Sequence, residues 1–157
     1  MEGNPPFVVS ENNNGVEFGA GSLLTLSEVE IFGRNYWLAA YGEDGEFVLD
    51  LAERAGPLNT VELVNTHNAD YKNWATKEFK VFLGNSSSGP WEEVVHQTLE
   101  DSREQTDPLP LQTFSFPERS AKFVLFQAFS AWGEGAGLQY FAVTHSSSGE
   151  LKEFPQN

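Results

Sequence analysis

Short stretches in which apolar and polar residues alternate recur along the chain. Residues 46–51, 79–83 and 113–116 each place apolar side chains at every second position, which is the pattern of a half-buried β-strand. Residues 123–129 are apolar on both faces, which indicates a central strand that is buried on both sides. Shorter apolar runs predict four further strands, at residues 23–32, 61–64, 91–96 and 138–143.

Helical periodicity is weak throughout the sequence. Residues 51–55 are followed directly by Gly56-Pro57, and residues 98–104 would complete only one or two turns. The chain also has 14 Gly and 8 Pro, which lie between the apolar segments and indicate turns. Eight strands separated by turns predict an all-β fold, an antiparallel sandwich whose two layers enclose a core without helices.

The length of 157 residues suits one domain that spans residues 1–157. Polar, turn-rich compositions at Asn12-Asn13-Asn14-Gly15 and Ser146-Ser147-Ser148-Gly149 predict loosely held ends, at about residues 1–15 and 146–157.

The absence of cysteine excludes a disulfide scaffold, and residues 1–6 lack the basic start and apolar stretch of a secretion signal. Localisation therefore stays open between the cytoplasm and an extracellular chain whose leader was removed.

The charge of the chain narrows the classes of partner. Nine Lys and Arg stand against 23 Asp and Glu, so the formal net charge is −14 at pH 7. Such a surface repels the phosphates of nucleic acid, which excludes a nucleic-acid binder as the default. It also repels anionic lipid, which disfavours a membrane-lipid partner.

No catalytic constellation can be named in the sequence. The three histidines, at positions 67, 96 and 145, do not pair at metal-ligand spacing. The sequence contains neither a Gly-x-Ser-x-Gly elbow nor a phosphate-binding glycine loop, and no carboxylate pair stands out from the general acidity. The prediction is therefore that the protein is not an enzyme and holds no catalytic or metal-ligating cluster.

The order of features from residue 46 onward carries a family resemblance. The segments are Glu46-Phe47-Val48-Leu49-Asp50-Leu51, Trp74-Ala75-Thr76-Lys77-Glu78-Phe79, Gly89-Pro90-Trp91, Ala121-Lys122-Phe123-Val124 and Gly137-Leu138-Gln139-Tyr140. In this order, the chain from Tyr36 to Val143 resembles the discoidin, or coagulation factor V/VIII type C, domain of the galactose-binding-like superfamily. The resemblance implies an eight-stranded antiparallel jelly-roll β-sandwich that binds glycans, phospholipid head groups or proteins.

The sequence departs from that family in ways that bear on cofactors. The usual terminal cysteine pair is absent, and no Asp-Gly calcium loop precedes Trp37. Gln139 stands where many members carry a Glu near a structural calcium ion. An amide and backbone carbonyls still ligate calcium, although more weakly than carboxylates do. No cofactor is therefore assigned, and a structural calcium ion stays an open alternative.

Two predicted loops are rich in residues that recognise sugars, residues 66–74 and 130–135. A sugar site needs a flat apolar face for the ring and fixed polar groups for the hydroxyls. The candidate ligand-binding residues are His67, Asn68, Asp70, Tyr71, Lys72, Trp74, Trp132 and Glu134. Trp132, in a glycine-rich loop, is the aromatic expected to be most exposed. A structural role is an alternative for three of these residues. Trp74 could instead close the end of the sandwich, and His67 and Asn68 could instead only form hydrogen bonds with loop backbone groups.

The function predicted is non-catalytic, lectin-like binding of a glycan or glycoprotein through loops at one end of the sandwich. The alternative is an intracellular adaptor that binds another protein. The absence of cysteine and of a visible leader favours this alternative. The family resemblance favours an extracellular location. A lectin needs an aromatic beside a shallow polar recess, whereas an adaptor needs a broad apolar patch.

Overall fold

The computed structural model describes residues 7–11, 37–38, 45–52, 55–65, 75–101, 111–133 and 135–146. These residues form nine β-strands and no α-helix. The strands are β1 (Phe7–Glu11), β2 (Trp37–Leu38), β3 (Gly45–Asp50), β4 (Gly56–Asn65), β5 (Glu78–Gly84), β6 (Glu92–Thr98), β7 (Leu111–Ala121), β8 (Phe123–Ala128) and β9 (Gly137–Thr144). Within this part of the chain, nothing helical has the length and apolar character to cross a membrane.

The strands pair in two antiparallel sheets. One sheet has five strands in the order β1-β3-β8-β5-β6, and the other has four in the order β2-β9-β4-β7. The all-β, antiparallel sandwich predicted from the sequence is confirmed. Strand β8, predicted to be central, lies between β3 and β5.

One element, strand β1, differs from the sequence-based expectation. Strand β1 lies inside residues 1–15, which the composition assigns to a loose end, but it pairs with β3 from Phe7↔Asp50 to Glu11↔Phe47. The strand predicted at residues 23–32 lies outside the described residues. Gly56-Pro57, which ends the weak helical signal of residues 51–55 in the sequence, begins β4, and proline is tolerated at the start of a strand.

The core lies between the two sheets and is built from the inward-facing, alternating residues of each strand. Phe126 in β8 is completely buried, and its ring stacks on Phe47 with centroids 5.1 Å apart. The same ring meets Phe141 of the opposite sheet edge-to-face at 5.5 Å. Aromatic contacts thus join the two layers, which holds both sheets at a fixed spacing beneath the loops.

Glu62 lies on the outer face of the four-stranded sheet, because its neighbours Val61 and Leu63 are both fully buried in the core. It is half-buried between the cross-strand partners Thr113 and Ala142. This burial raises the pKa of the Glu62 carboxyl above its ordinary value.

Replacing Glu62 by glutamine is therefore expected to raise the melting temperature at pH 7, because ionisation of a partly buried carboxyl opposes folding. The ionised form is disfavoured in the folded state above its raised pKa, and this penalty disappears as the pH falls to the ordinary value, near pH 4. Thermal unfolding at pH 7 and at about pH 4 measures the effect. An equal difference between wild type and Glu62→Gln at both pH values would contradict this interpretation.

Candidate functional site

One end of the sandwich gathers the flanks of several connecting segments, and we call it the loop end. Strand β4 finishes there at Asn65, β5 is entered through Ala75, and β6 leads into Glu100. The segment between β8 and β9, residues 129–136, lies against Ala75. The Ala75 N–H donates to the Gly135 carbonyl (3.0 Å), and the Trp132 N–H donates to the Ala75 carbonyl (2.8 Å).

A buried polar cluster holds these segments together. The Asn65 side chain is 2% exposed, and its Nδ2 donates to the carbonyls of Thr76 and Glu100, both at 2.9 Å. Its Oδ1 accepts from the Thr76 N–H at 2.9 Å. The Thr76 hydroxyl in turn donates to the Gly137 carbonyl at 2.8 Å. Because every partner is a backbone group, the cluster fixes the path of the chain at the bases of three connections.

Trp132 is partly buried beside this cluster and is less available than expected. Its indole Nε1 donates to the Leu99 carbonyl at 2.9 Å, so this donor is already used within the protein. The Lys77 ammonium lies 4.8 Å from the centroid of the Trp132 ring, within the range of a cation–π contact. Trp132 thus supplies ring surface and not a free N–H donor to the loop end.

The other seven predicted site residues lie outside the described residues. They are His67, Asn68, Asp70, Tyr71, Lys72, Trp74 and Glu134. The structure does describe the residues that flank them. Asn65 and Ala75 bound residues 66–74, and Gly133 and Gly135 bound Glu134. The contacts of Ala75 with Trp132 and Gly135 bring the flanks of the two predicted loops next to each other.

Several residues of the loop end were not predicted as site residues. Asn65 gave no sequence signal beyond being a polar residue next to an apolar run, and Thr76 and Lys77 entered only as part of the family pattern. Gln112 accepts a hydrogen bond from the Glu100 N–H at 3.1 Å. Its buried Nε2 has no hydrogen-bond partner in the described part of the chain, and a bound water would satisfy such a donor.

No cluster suited to a metal ion occurs among the described residues, when groups of three or more His, Cys, Asp or Glu are considered. Two histidines contact carboxylates: His96 lies 2.7 Å from Glu78 and His145 lies 3.0 Å from Glu118. Both pairs are well exposed, which is typical of surface ion pairs of small energetic effect.

A recess of about 260 Å³ lies at the opposite end of the sandwich. It is formed by the β5–β6 turn and β7, and Asn85, Glu92 and Ser120 are among its lining residues. Arg119 pairs with Glu92 at 2.9 Å across this region. The recess is a concave surface at the end of the sandwich away from Asn65, Ala75 and Trp132.

The sequence itself matches no protein-family model and no curated protein. Solved structures do match. CBM32-3 from a family 31 glycoside hydrolase of Clostridium perfringens has a TM-score of 0.71 at 15% identity, over 90% of this chain and 91% of that one. The family 32 module of C. perfringens NanJ, in complex with galactose, has a TM-score of 0.65 at 14% identity, over 88% and 92%. The chain has the fold of these carbohydrate-binding modules.

A further match is the CBM32 of AlyQ in complex with 4,5-unsaturated mannuronic acid, with a TM-score of 0.61 at 18% identity, over 92% of this chain and 97% of that one. Identities this low establish the fold alone. They confirm the predicted β-sandwich fold, whereas membership of the galactose-binding-like superfamily and of its discoidin family stays a prediction.

Proposed function

We propose that this protein is a non-catalytic carbohydrate-binding module that binds glycans, free or on glycoproteins, at the loop end. The observation that carries the proposal is the pair of hydrogen bonds from Ala75 to Gly135 and from Trp132 to Ala75. They hold the flanks of the two sugar-recognition loops side by side, on a fold that its structural neighbours use to bind sugars. Loops on a rigid sandwich are a common place for such recognition.

In this proposal, Trp132 contributes ring surface for the apolar side of a sugar. Tyr71 or Trp74 provides a second aromatic, and His67, Asn68, Asp70, Lys72 and Glu134 provide polar contacts to hydroxyls. These seven assignments come from the residue types and from the place of their loops in the chain. The buried Asn65 and Thr76 act as positioning residues, because they hold the flanks of the loops without reaching the surface.

The surface of the described residues favours this function over a protein–protein adaptor. An adaptor needs a broad exposed apolar patch. Among the described residues, Val9 is the only large hydrophobic side chain that is exposed, at 43%. A single residue of this kind is ordinary for a protein surface and forms no docking patch.

A glycan array tests the function directly. Single-site affinity for sugars is expected to be weak, with a dissociation constant on the order of 1 mM, or about 4 kcal/mol. The protein is therefore presented as a multivalent display, so that avidity makes weak binding visible. We expect selective binding to a subset of glycans, and a parallel array with a chelator reports whether calcium supports it. A multivalent display that binds no glycan would contradict the proposed function.

A further inference from the structure

We propose that the glycan recognised at the loop end carries a negative charge, as a uronic acid carboxylate or a sulfate, and that Lys77 pairs with it. This inference rests on the proposed function and narrows its substrate class. The galactose-binding-like fold does not decide the matter, because structural neighbours bind a neutral sugar in one case and an acidic sugar in another. The charge preference has to come from side chains of this chain.

Lys77 is exposed on a rigid part of the backbone. Its N–H donates to the Ser130 carbonyl at 3.0 Å, and its carbonyl accepts from the Leu99 N–H at 2.8 Å. The side chain reaches over the ring of Trp132, which keeps the ammonium 4.8 Å from the ring centroid. The Lys77 ammonium therefore lies over the ring that is proposed to contact the sugar, so a sugar that approaches the ring from this side meets the cation.

This cation has no carboxylate partner within ion-pair distance among the described residues. Lys80 and Arg119, by contrast, pair with Glu93 at 3.3 Å and with Glu92 at 2.9 Å. Lys122 also lacks such a partner, but it lies at the opposite end, where its N–H donates to the Gly84 carbonyl. In a chain of net charge −14, an unpaired ammonium at the loop end is a local exception to the acidic surface.

The chemistry of the Trp132 ring points to the same ligand class. Its N–H is bound to the Leu99 carbonyl, so the ring offers a sugar only apolar contact. The adjacent Lys77 ammonium offers three donors and a full charge. A sugar that contacts the ring and carries a carboxylate or sulfate uses both the apolar ring surface and the Lys77 ammonium. The charge-assisted hydrogen bond to the ammonium is stronger than a neutral one. At physiological salt, acidic groups that lie more than about 8 Å from the ligand are largely screened.

Matched ligands test the inference. Dissociation constants are measured for a galactose oligomer, a galacturonic acid oligomer of equal length and a 6-sulfated galactose oligomer. We expect one or both charged ligands to bind more tightly than the neutral one, and added salt to weaken only the charged ligands. Comparison of the two charged ligands shows whether carboxylate or sulfate is preferred.

The variant Lys77→Gln is expected to weaken binding of the charged ligand about two- to fivefold and to have a clearly smaller effect on the neutral ligand, because exposed ion pairs have modest strength. Lys122→Gln makes the same charge change at the opposite end and is expected to alter neither affinity. Equal binding of neutral and charged ligands, or an equal loss for both in Lys77→Gln, would overturn the charge preference while the proposed function stands. If no glycan binds to wild type, both proposals fail.

Discussion

Phe126→Ala is expected to lower the free energy of unfolding by about 3–5 kcal/mol. The side chain is completely buried, and its ring contacts those of Phe47, Phe79 and Phe141 at centroid distances of 5.1–5.6 Å. Alanine would remove the ring that joins the two sheets and leave a cavity that a rigid sandwich closes only in part. Because folded domains have about 5–15 kcal/mol of net stability, this loss is a large share of the total.

Chemical denaturation of wild type and Phe126→Ala measures this loss. Phe123→Ala is the matched control, because it removes the same side chain from the same strand on the outer face, where Phe123 is only partly buried. We expect a clearly smaller loss for the control. A loss in Phe126→Ala that is no larger than in Phe123→Ala would show that Phe126 does not join the sheets in the way described here.

Asn65→Ala is expected to destabilise the protein and also to abolish glycan binding. The substitution leaves the Thr76 N–H and two carbonyls without the partners that they have in the folded protein. Each buried group left unpaired costs about 1–3 kcal/mol. The flanks of residues 66–74 and the start of the connection after β6 would then no longer be held at fixed positions, so a preformed glycan site would be lost.

Asn59→Ala separates the two effects of this change. Asn59 lies in the same strand as Asn65, β4, but towards its opposite end. Its side chain also makes three hydrogen bonds, two with the Ser146 backbone and one with the Thr60 hydroxyl. Both variants are expected to unfold more easily in denaturant, but only Asn65→Ala should lose binding to glycans at temperatures where both stay folded. Retained glycan affinity in folded Asn65→Ala would show that Asn65 has no positioning role.

The pattern of apolar residues was enough to predict seven of the strands, β3 to β9. Residues 46–51 and 79–83 gave β3 and β5, because one face of each strand must be buried and the other faces outward. The run at residues 123–129, which is apolar on both faces, gave the central strand β8. The prediction that both of its faces are buried was wrong, because every second residue of β8 is only partly buried. These features depend only on local sequence and on which face meets the core.

Strand boundaries that depend on pairing were not predicted. Strand β7 extends over Leu111–Ala121 and not only over residues 113–116, although it contains Pro117. It is an edge strand, and its pairing with β4 passes from Thr60↔Ser115 to Leu58↔Arg119, so residues 116–118 bulge out of register. An edge bulge tolerates proline, but no local pattern announces it.

The candidate site was predictable to a similar extent. Residue types alone pointed to the two loops and to Trp132. Three contacts escaped this reasoning: the hydrogen bond of the Trp132 indole N–H, the hydrogen bonds of Asn65 and the approach of Lys77 to Trp132. They join residues that are 11 to 55 positions apart. Such contacts follow from the packing of the two sheets, and so they became visible only in the structure.

Chemical-shift mapping with a glycan that binds on the array tests the central claim most directly. We expect the amide signals of Ala75, Lys77 and Gly133 and the indole N–H signal of Trp132 to shift as the glycan is added, while those of Asn85, Glu92 and Ser120 stay unchanged. Shifts confined to Asn85, Glu92 and Ser120 would place the ligand in the recess at the opposite end and contradict a glycan site at the loop end.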